Sequence, residues 1–168
     1  MEQLRIAKII NESIVDGPGI RMTIFAQGCP HKCKGCHNPD THDFSGGYLI
    51  DIDEVIKSAK KNPLLSGLTF SGGEPFSQAE TFAKLAKMAH KNGLNIITYS
   101  GYTIEELLKS MNENAGWNDL LQEIDTLVDG RFILEQRDLT LKFRGSKNQR
   151  IIDPRQSILT GQAAEKTF

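Results

Sequence analysis

Short apolar runs alternate along this chain with segments whose apolar residues return at helical spacing, and polar breakers close most of them. Residues 22–26 (Met-Thr-Ile-Phe-Ala) read as a short buried strand that stops at Gln27-Gly28. Residues 68–71 form a second run, ended by Gly72-Gly73-Glu74-Pro75; residues 94–99 form a third, ended by Ser100-Gly101. Residues 126–128 form a fourth, ended by Asp129-Gly130. Between the second and third runs, Phe82, Leu85, Ala86 and Ala89 recur at i, i+3, i+4 and i+7, one face of a helix that Gly93 stops. Ser77 with Glu80, and Thr103 with Glu106, have the spacing of a capping box, so helices are expected to begin there, the second reaching about Met111. Asp51 or Asp53 is placed to cap a helix over residues 54–61. Residues 117–124 read as a short further helix, and residues 150–153 as a last strand.

Strands alternating with helices build βαβ units and a parallel sheet. A closed eight-unit barrel takes roughly 250 residues, and this chain has 168. The expected fold is therefore α/β, a partial (open) β/α barrel of about five to six parallel strands. In such folds the active loops lie at the C-terminal ends of the strands. The segment after residue 26, Gly72-Gly73-Glu74, Ser100-Gly101 and Asp129-Gly130 each follow an expected strand, and so converge on one face. Residues 27–48 make a loop of the length that usually carries function. Residues 1–153 are expected as one domain. Residues 154–168, rich in Pro, Gly, Gln and Lys without period, are expected as a mobile tail.

Composition removes several classes. Hydrophobic residues make up 39% and charged residues 24%, ordinary values for a globular protein. Lys plus Arg number 20 against 21 Asp plus Glu, which lacks the basic excess of a nucleic-acid binder. The N-terminal residues lack the apolar core of a secretory signal, and no apolar run approaches the ~18 residues of a membrane span, so no membrane partner is expected. Three clustered cysteines are an odd number and a poor disulfide framework. A reducing cytoplasm is the expected compartment.

Those cysteines carry the chemistry. Cys29, Cys33 and Cys36 stand in a C-x3-C-x2-C pattern with turn-forming residues between them. A cubane iron–sulfur cluster takes four thiolates, one per iron, so three leave one iron able to accept another ligand. The alternative is zinc, with His31, His37 or His42 as the fourth ligand. Gly72-Gly73-Glu74-Pro75 is by itself a strand-to-helix turn, yet two residues without Cβ let a ligand come close to the backbone. Asp16-Gly-Pro-Gly-Ile-Arg21 runs straight into the strand before the cysteines and is placed to border the same mouth. Arg144-Gly-Ser-Lys-Asn-Gln-Arg150 is a basic, polar loop before the last strand. No P-loop and no G-x-G-x-x-G is present.

The triplet followed by Gly72-Gly73-Glu74 resembles the radical S-adenosylmethionine (SAM) superfamily. With Asp16-Gly-Pro-Gly-Ile-Arg21, Cys36-His-Asn-Pro39 and the segment from Arg144 to Asp153, the chain resembles more closely the anaerobic ribonucleotide reductase activating proteins, which are small glycyl-radical activases. The resemblance implies a 4Fe–4S cluster on Cys29, Cys33 and Cys36, with the fourth iron open to SAM. It implies reductive cleavage of SAM to methionine and a 5′-deoxyadenosyl radical, and hydrogen abstraction from a glycine of the partner. That partner would be the glycyl-radical subunit of anaerobic ribonucleoside-triphosphate reductase, and a flavodoxin-type protein the usual electron donor. Carried over by position, Gly72, Gly73 and Glu74 would contact the SAM amino group, chiefly through backbone atoms, while Gly35, Cys36 and His37 would lie near its adenosine. Asp129 and Arg131 match polar SAM contacts loosely. Asp16 and Arg21 would face the partner. An activase of pyruvate formate-lyase or another glycyl-radical enzyme is the alternative within the class; a non-catalytic iron–sulfur or zinc protein is the alternative outside it.

Overall fold

In a computed structural model that describes residues 2–168, one open seven-stranded sheet runs in the order β3-β1-β2-β4-β5-β6-β7. The strands are β1 (Gln3–Ser13), β2 (Ile20–Ala26), β3 (Tyr48–Asp51), β4 (Leu65–Gly72), β5 (Asn95–Tyr99), β6 (Thr126–Asp129) and β7 (Arg150–Ile152). The helices are α1 (Ile52–Lys60), α2 (Ala79–Lys91), α3 (Ile104–Ser110), α4 (Trp117–Glu123) and α5 (Pro154–Thr160). No helix among the described residues is long and apolar enough to cross a membrane.

The sheet corrects the expectation of five to six parallel strands. Only β2, β4, β5 and β6 run parallel; β1 is antiparallel to β2 and β3, and β7 is antiparallel to β6. Residues 14–19 alone join β1 to β2, and a parallel neighbour needs a crossover of a dozen residues or more. The sheet is α/β and mixed, and it does not close.

Side-chain alternation gives the sheet two different faces. Met22, Ile24 and Ala26 of β2, Leu68 and Phe70 of β4, Ile96 of β5 and Leu127 of β6 bury into the core. Val55 and Ile56 of α1, Phe82, Leu85, Ala86 and Ala89 of α2, Leu107 of α3, and Leu120 and Leu121 of α4 meet them there. Each large side chain so buried contributes about 1.5–3 kcal/mol. The alternate residues (Arg21, Thr23 and Phe25, then Thr69 and Ser71, then Tyr99) look to the other face, where no helix packs and a cleft remains.

Local signals explain most element boundaries. Asp51 caps α1 by accepting from the Asp53 N–H, and Thr103 with Glu106 forms the expected capping box of α3. The box expected at Ser77 and Glu80 does not form. A 3-10 turn, Pro75–Gln78, precedes α2, and its cap is Glu74, whose side chain accepts from the Phe76 N–H. Residues 154–168, read as a mobile tail, instead fold back. Asp153 caps α5, Pro154 starts it and Gly161 ends it in the left-handed region (φ 72°). The chain then returns to β7, with the Asp153 N–H donating to Ala164 O at 2.8 Å and the Lys166 N–H to Ile151 O at 2.9 Å.

Candidate active site

Strand register assembles the site. In the parallel β2–β4 pair Ala26 lies opposite Gly72, so the cysteine loop and the Gly72-Gly73 turn leave the sheet side by side. They are stitched together at once: the Gly73 N–H donates to Ala26 O and the Glu74 N–H to Gly28 O, both at 2.8 Å. A Cβ at Gly73 would collide with the Gly28 carbonyl oxygen, and Gly72 sits at φ 79° with Phe25 Cα 2.7 Å from where its Cβ would stand. The glycines are therefore required by the backbone packing itself.

The loops after β2, β4, β5 and β6 enclose a cavity of about 110 Å³ bordered by Cys29, Cys33, Cys36, Gly72, Gly73, Ser100, Gly101 and Gly130. It adjoins a cleft of about 480 Å³ on the uncovered face of the sheet, where Asp16, His37, Ser71, Phe143 and Arg144 stand. Cys36, Tyr99, Phe132 and Gln149 belong to both spaces and form the wall between them. Tyr99 is fixed there by donating its hydroxyl to Phe143 O at 2.8 Å, and burial pushes its phenol above the ordinary value.

The thiols suit an iron–sulfur cluster. Cys29 is buried and Cys33 and Cys36 are half-buried. Burial pushes the Cys29 and Cys33 thiols up, while backbone N–H groups aimed at the sulfurs pull the other way: His31 and Lys32 at Cys29, Phe132 at Cys33. The Asn38 N–H donates to Cys36 Sγ at 3.4 Å. Such donors stabilise thiolate, the form that binds metal, and tune cluster sulfurs. His31 and His42 both border the cavity, His31 with its Nε2 turned to Glu74, while His37 lies against Phe132 with ring centroids 5.1 Å apart and the planes tilted by 48°. Among the described residues no three His, Cys, Asp or Glu side chains gather about a point that would hold one metal ion. Three thiols, each met by a backbone N–H, are the donors a cluster with one open iron needs. The donor set fits the cluster.

Other expected site residues divide. Cys36, His37, Gly72 and Gly73 border the two spaces, but Gly35 borders neither; it holds φ 76° beneath Leu134, whose Cδ1 would lie 2.9 Å from a Cβ there. The Glu74 side chain turns into the protein. It is fully buried and accepts from the Phe76 N–H (3.0 Å), Ser100 Oγ (3.0 Å to each oxygen) and the Gly101 N–H (2.9 Å). His31 Nε2 lies 2.7 Å from its Oε2.

Asp16 reaches the cleft and accepts from Ser13 Oγ at 2.6 Å and Thr23 Oγ1 at 3.0 Å. Arg21 does not face a partner. It is 1% exposed, donates to Thr69 Oγ1 and Leu68 O at 2.8 Å each, and burial pulls its guanidinium down to about 10. Asp129 is buried beneath α3, accepting from the Ile104 N–H and Arg150, and Arg131 pairs with Glu106. Sequence reasoning missed the Glu74–Ser100–Gly101–His31 network and the wall residues Tyr99 and Phe132. Gln149, within the basic loop, was singled out only as part of that segment. It accepts from the Gly145 N–H and donates to Gly130 O, tying that loop to the end of β6.

Comparison with known proteins agrees with this assembly. The family model described as a 4Fe-4S single cluster domain matches residues 15–152. The anaerobic ribonucleoside-triphosphate reductase-activating protein of Vibrio cholerae is 39% identical over 144 residues, covering 81% of this chain and 89% of that protein. The protein of the same name from Escherichia coli is 33% identical over 144 residues, covering 81% and 90%. A pyruvate formate-lyase-activating enzyme of Clostridium pasteurianum is 39% identical over 114 residues, covering 62% of this chain and 48% of that enzyme.

Proposed function

The chain belongs to the anaerobic ribonucleoside-triphosphate reductase-activating proteins and carries the 4Fe-4S single cluster domain, and from that premise we propose how its residues install a glycyl radical on the reductase. The observation that carries the reading is the meeting of three cysteines and a Gly-Gly turn in one cavity beside a larger cleft. Cys29, Cys33 and Cys36 hold the cluster. When bound, the cluster supplies the electron that cleaves SAM into methionine and the 5′-deoxyadenosyl radical that takes a hydrogen atom from glycine Cα.

The protein's part is to bind, orient and shield. The N–H groups of Gly73 and Glu74 are already donated to Ala26 O and Gly28 O, so the backbone of the turn would meet the SAM ammonium group through carbonyl oxygens, the acceptors it needs. Cys36, His37 and Phe132 border the space for adenosine. Glu74 serves by holding the turn rather than by touching the ligand. The sheet is read as the partial barrel of radical SAM type within one domain over residues 1–153, its uncovered face admitting a loop of a folded protein. Asp16, in that cleft with its carboxylate held by Ser13 and Thr23, accepts a backbone N–H of the incoming glycine segment. A small flavodoxin-type protein supplies the electron.

Anaerobic reconstitution, reduction and addition of SAM test the chemistry. The expected products are methionine and 5′-deoxyadenosine; iron without cleavage, or zinc without iron and sulfide, would sink the proposal. Adding either reductase or pyruvate formate-lyase and recording the glycyl-radical electron paramagnetic resonance (EPR) signal separates the two partners. The Asp16→Ala variant should cleave SAM yet install less radical; unimpaired installation and partner affinity would remove Asp16 from the role.

A further inference from the structure

We propose that His31 is a positioning residue, whose imidazole ties the cysteine loop to the Gly72-Gly73-Glu74 turn and so sets the thiolates against the SAM-binding backbone. This deepens the function proposed above and rests on it. His31 stands between Cys29 and Cys33, where a surface loop would leave it in water, yet its side chain is 5% exposed. Its ring stands edge-on to Tyr102, with centroids 4.5 Å apart at 78°, and occupies the space that a Cβ on Gly101 would need. Nε2 points at Glu74 Oε2, 2.7 Å away. Because that oxygen also accepts from Ser100 Oγ and the Gly101 N–H, the imidazole is the donor at Nε2. The carboxylate thereby joins the loop after β2, the turn after β4 and the turn after β5.

The bond matters more to the loop than to the carboxylate. Without His31, Glu74 keeps Phe76 N–H, Ser100 Oγ and Gly101 N–H, so the buried anion stays satisfied. The cysteine loop, in contrast, loses the side-chain bond that joins the Cys29–Cys33 stretch to the neighbouring strand ends. What remains is Gly28 N–H to Thr41 O, Cys29 N–H to His42 O and Glu74 N–H to Gly28 O at the base of the loop, with the Phe132 N–H at the Cys33 sulfur, so residues 30–32 keep no other tie to the turn after β4. Partners that orient metal ligands in this way typically change affinity or activity by 10–100-fold when removed.

The test compares wild type, His31→Ala and His31→Gln, the last of which can place an amide N–H where Nε2 stands. Reconstituted, reduced protein is titrated with SAM, and the change in the cluster's EPR signal gives the SAM dissociation constant; iron and sulfide are counted in parallel. His31→Ala is expected to weaken SAM binding by roughly 10–100-fold, with His31→Gln returning most of it. If His31→Ala fails to take up iron while His31→Gln takes it up and titrates like wild type, the tie is supported at loop assembly. Wild-type SAM binding in His31→Ala overturns the proposal, as does equal damage in both variants. A wild-type protein whose signal ignores SAM overturns the functional reading itself, and that arm alone reveals it.

Discussion

Replacing Glu74 by Gln changes one atom in a fully buried side chain, and its cost follows from the hydrogen-bond count. The carboxylate faces four donors: the Phe76 and Gly101 N–H groups, Ser100 Oγ and His31 Nε2. A glutamine has one acceptor oxygen and one NH2. If the NH2 replaces Oε1 it confronts the Phe76 N–H; if it replaces Oε2 it confronts the Gly101 N–H and His31. Either way a backbone donor is left without a partner. A charge-assisted bond contributes about 1.5–3 kcal/mol and an orphaned buried donor costs about 1–3 kcal/mol. The lower cost of burying a neutral amide offsets part of this. A loss of about 2–4 kcal/mol is expected, which at this chain length lowers Tm by roughly 4–16 °C. The assay is thermal and urea unfolding of the metal-free protein, with the m-value checked for constancy. A Glu74→Gln protein melting within about 2 °C of wild type would refute the view that this carboxylate holds the strand ends together.

Three further outcomes are expected. Cys29→Ala, Cys33→Ala and Cys36→Ala should each abolish SAM cleavage and lower bound iron, because every thiolate holds its own iron; turnover retained in any one contradicts the assignment. Thr103→Ala should lower stability by about 1 kcal/mol through loss of the α3 cap, read from the urea midpoint. Burial raises the Asp125 carboxyl, but bonds from His90, the Ile96 N–H and Arg155 outweigh it and leave its pKa below the ordinary 3.8. A depressed carboxyl stabilises above the unfolded pKa and loses that contribution as pH falls through its folded value. The stability gap between wild type and Asp125→Asn, followed by urea unfolding, should therefore shrink as pH drops below 3.8; a gap that widens would be contrary to it.

The parallel strands were legible as short apolar runs closed by polar breakers, α2 by its 3.6-residue period, and α1 and α3 by their capping residues. β1 was not: Leu4 and Ile6 bury, but bulges break the register at Ile6/Lys8 and Ile10/Ser13, and alternation is lost there. Strand direction at the sheet's flanks is decided by partners far along the chain, which no window of sequence contains. α5 did leave its marks, Asp153 before Pro154 and Gly161 after the last turn, and its composition hid them. The cysteines and glycines of the site were legible by spacing. His31 entered only as a possible zinc ligand and Tyr99 not at all, since a lone His or Tyr acquires a role only from what the fold brings beside it.

The stitching of the strand ends also bears on time. Loop amides normally exchange with solvent from locally open states of low free energy. Here the N–H groups of Gly73, Glu74, Ser100, Gly101 and Gly130 donate from one strand-end segment to another or to the Glu74 carboxylate. None of these amides can be released without parting two segments of the sheet's rim. In deuterium exchange they should keep pace with the interior strands, so that this rim carries a protection pattern more typical of a core.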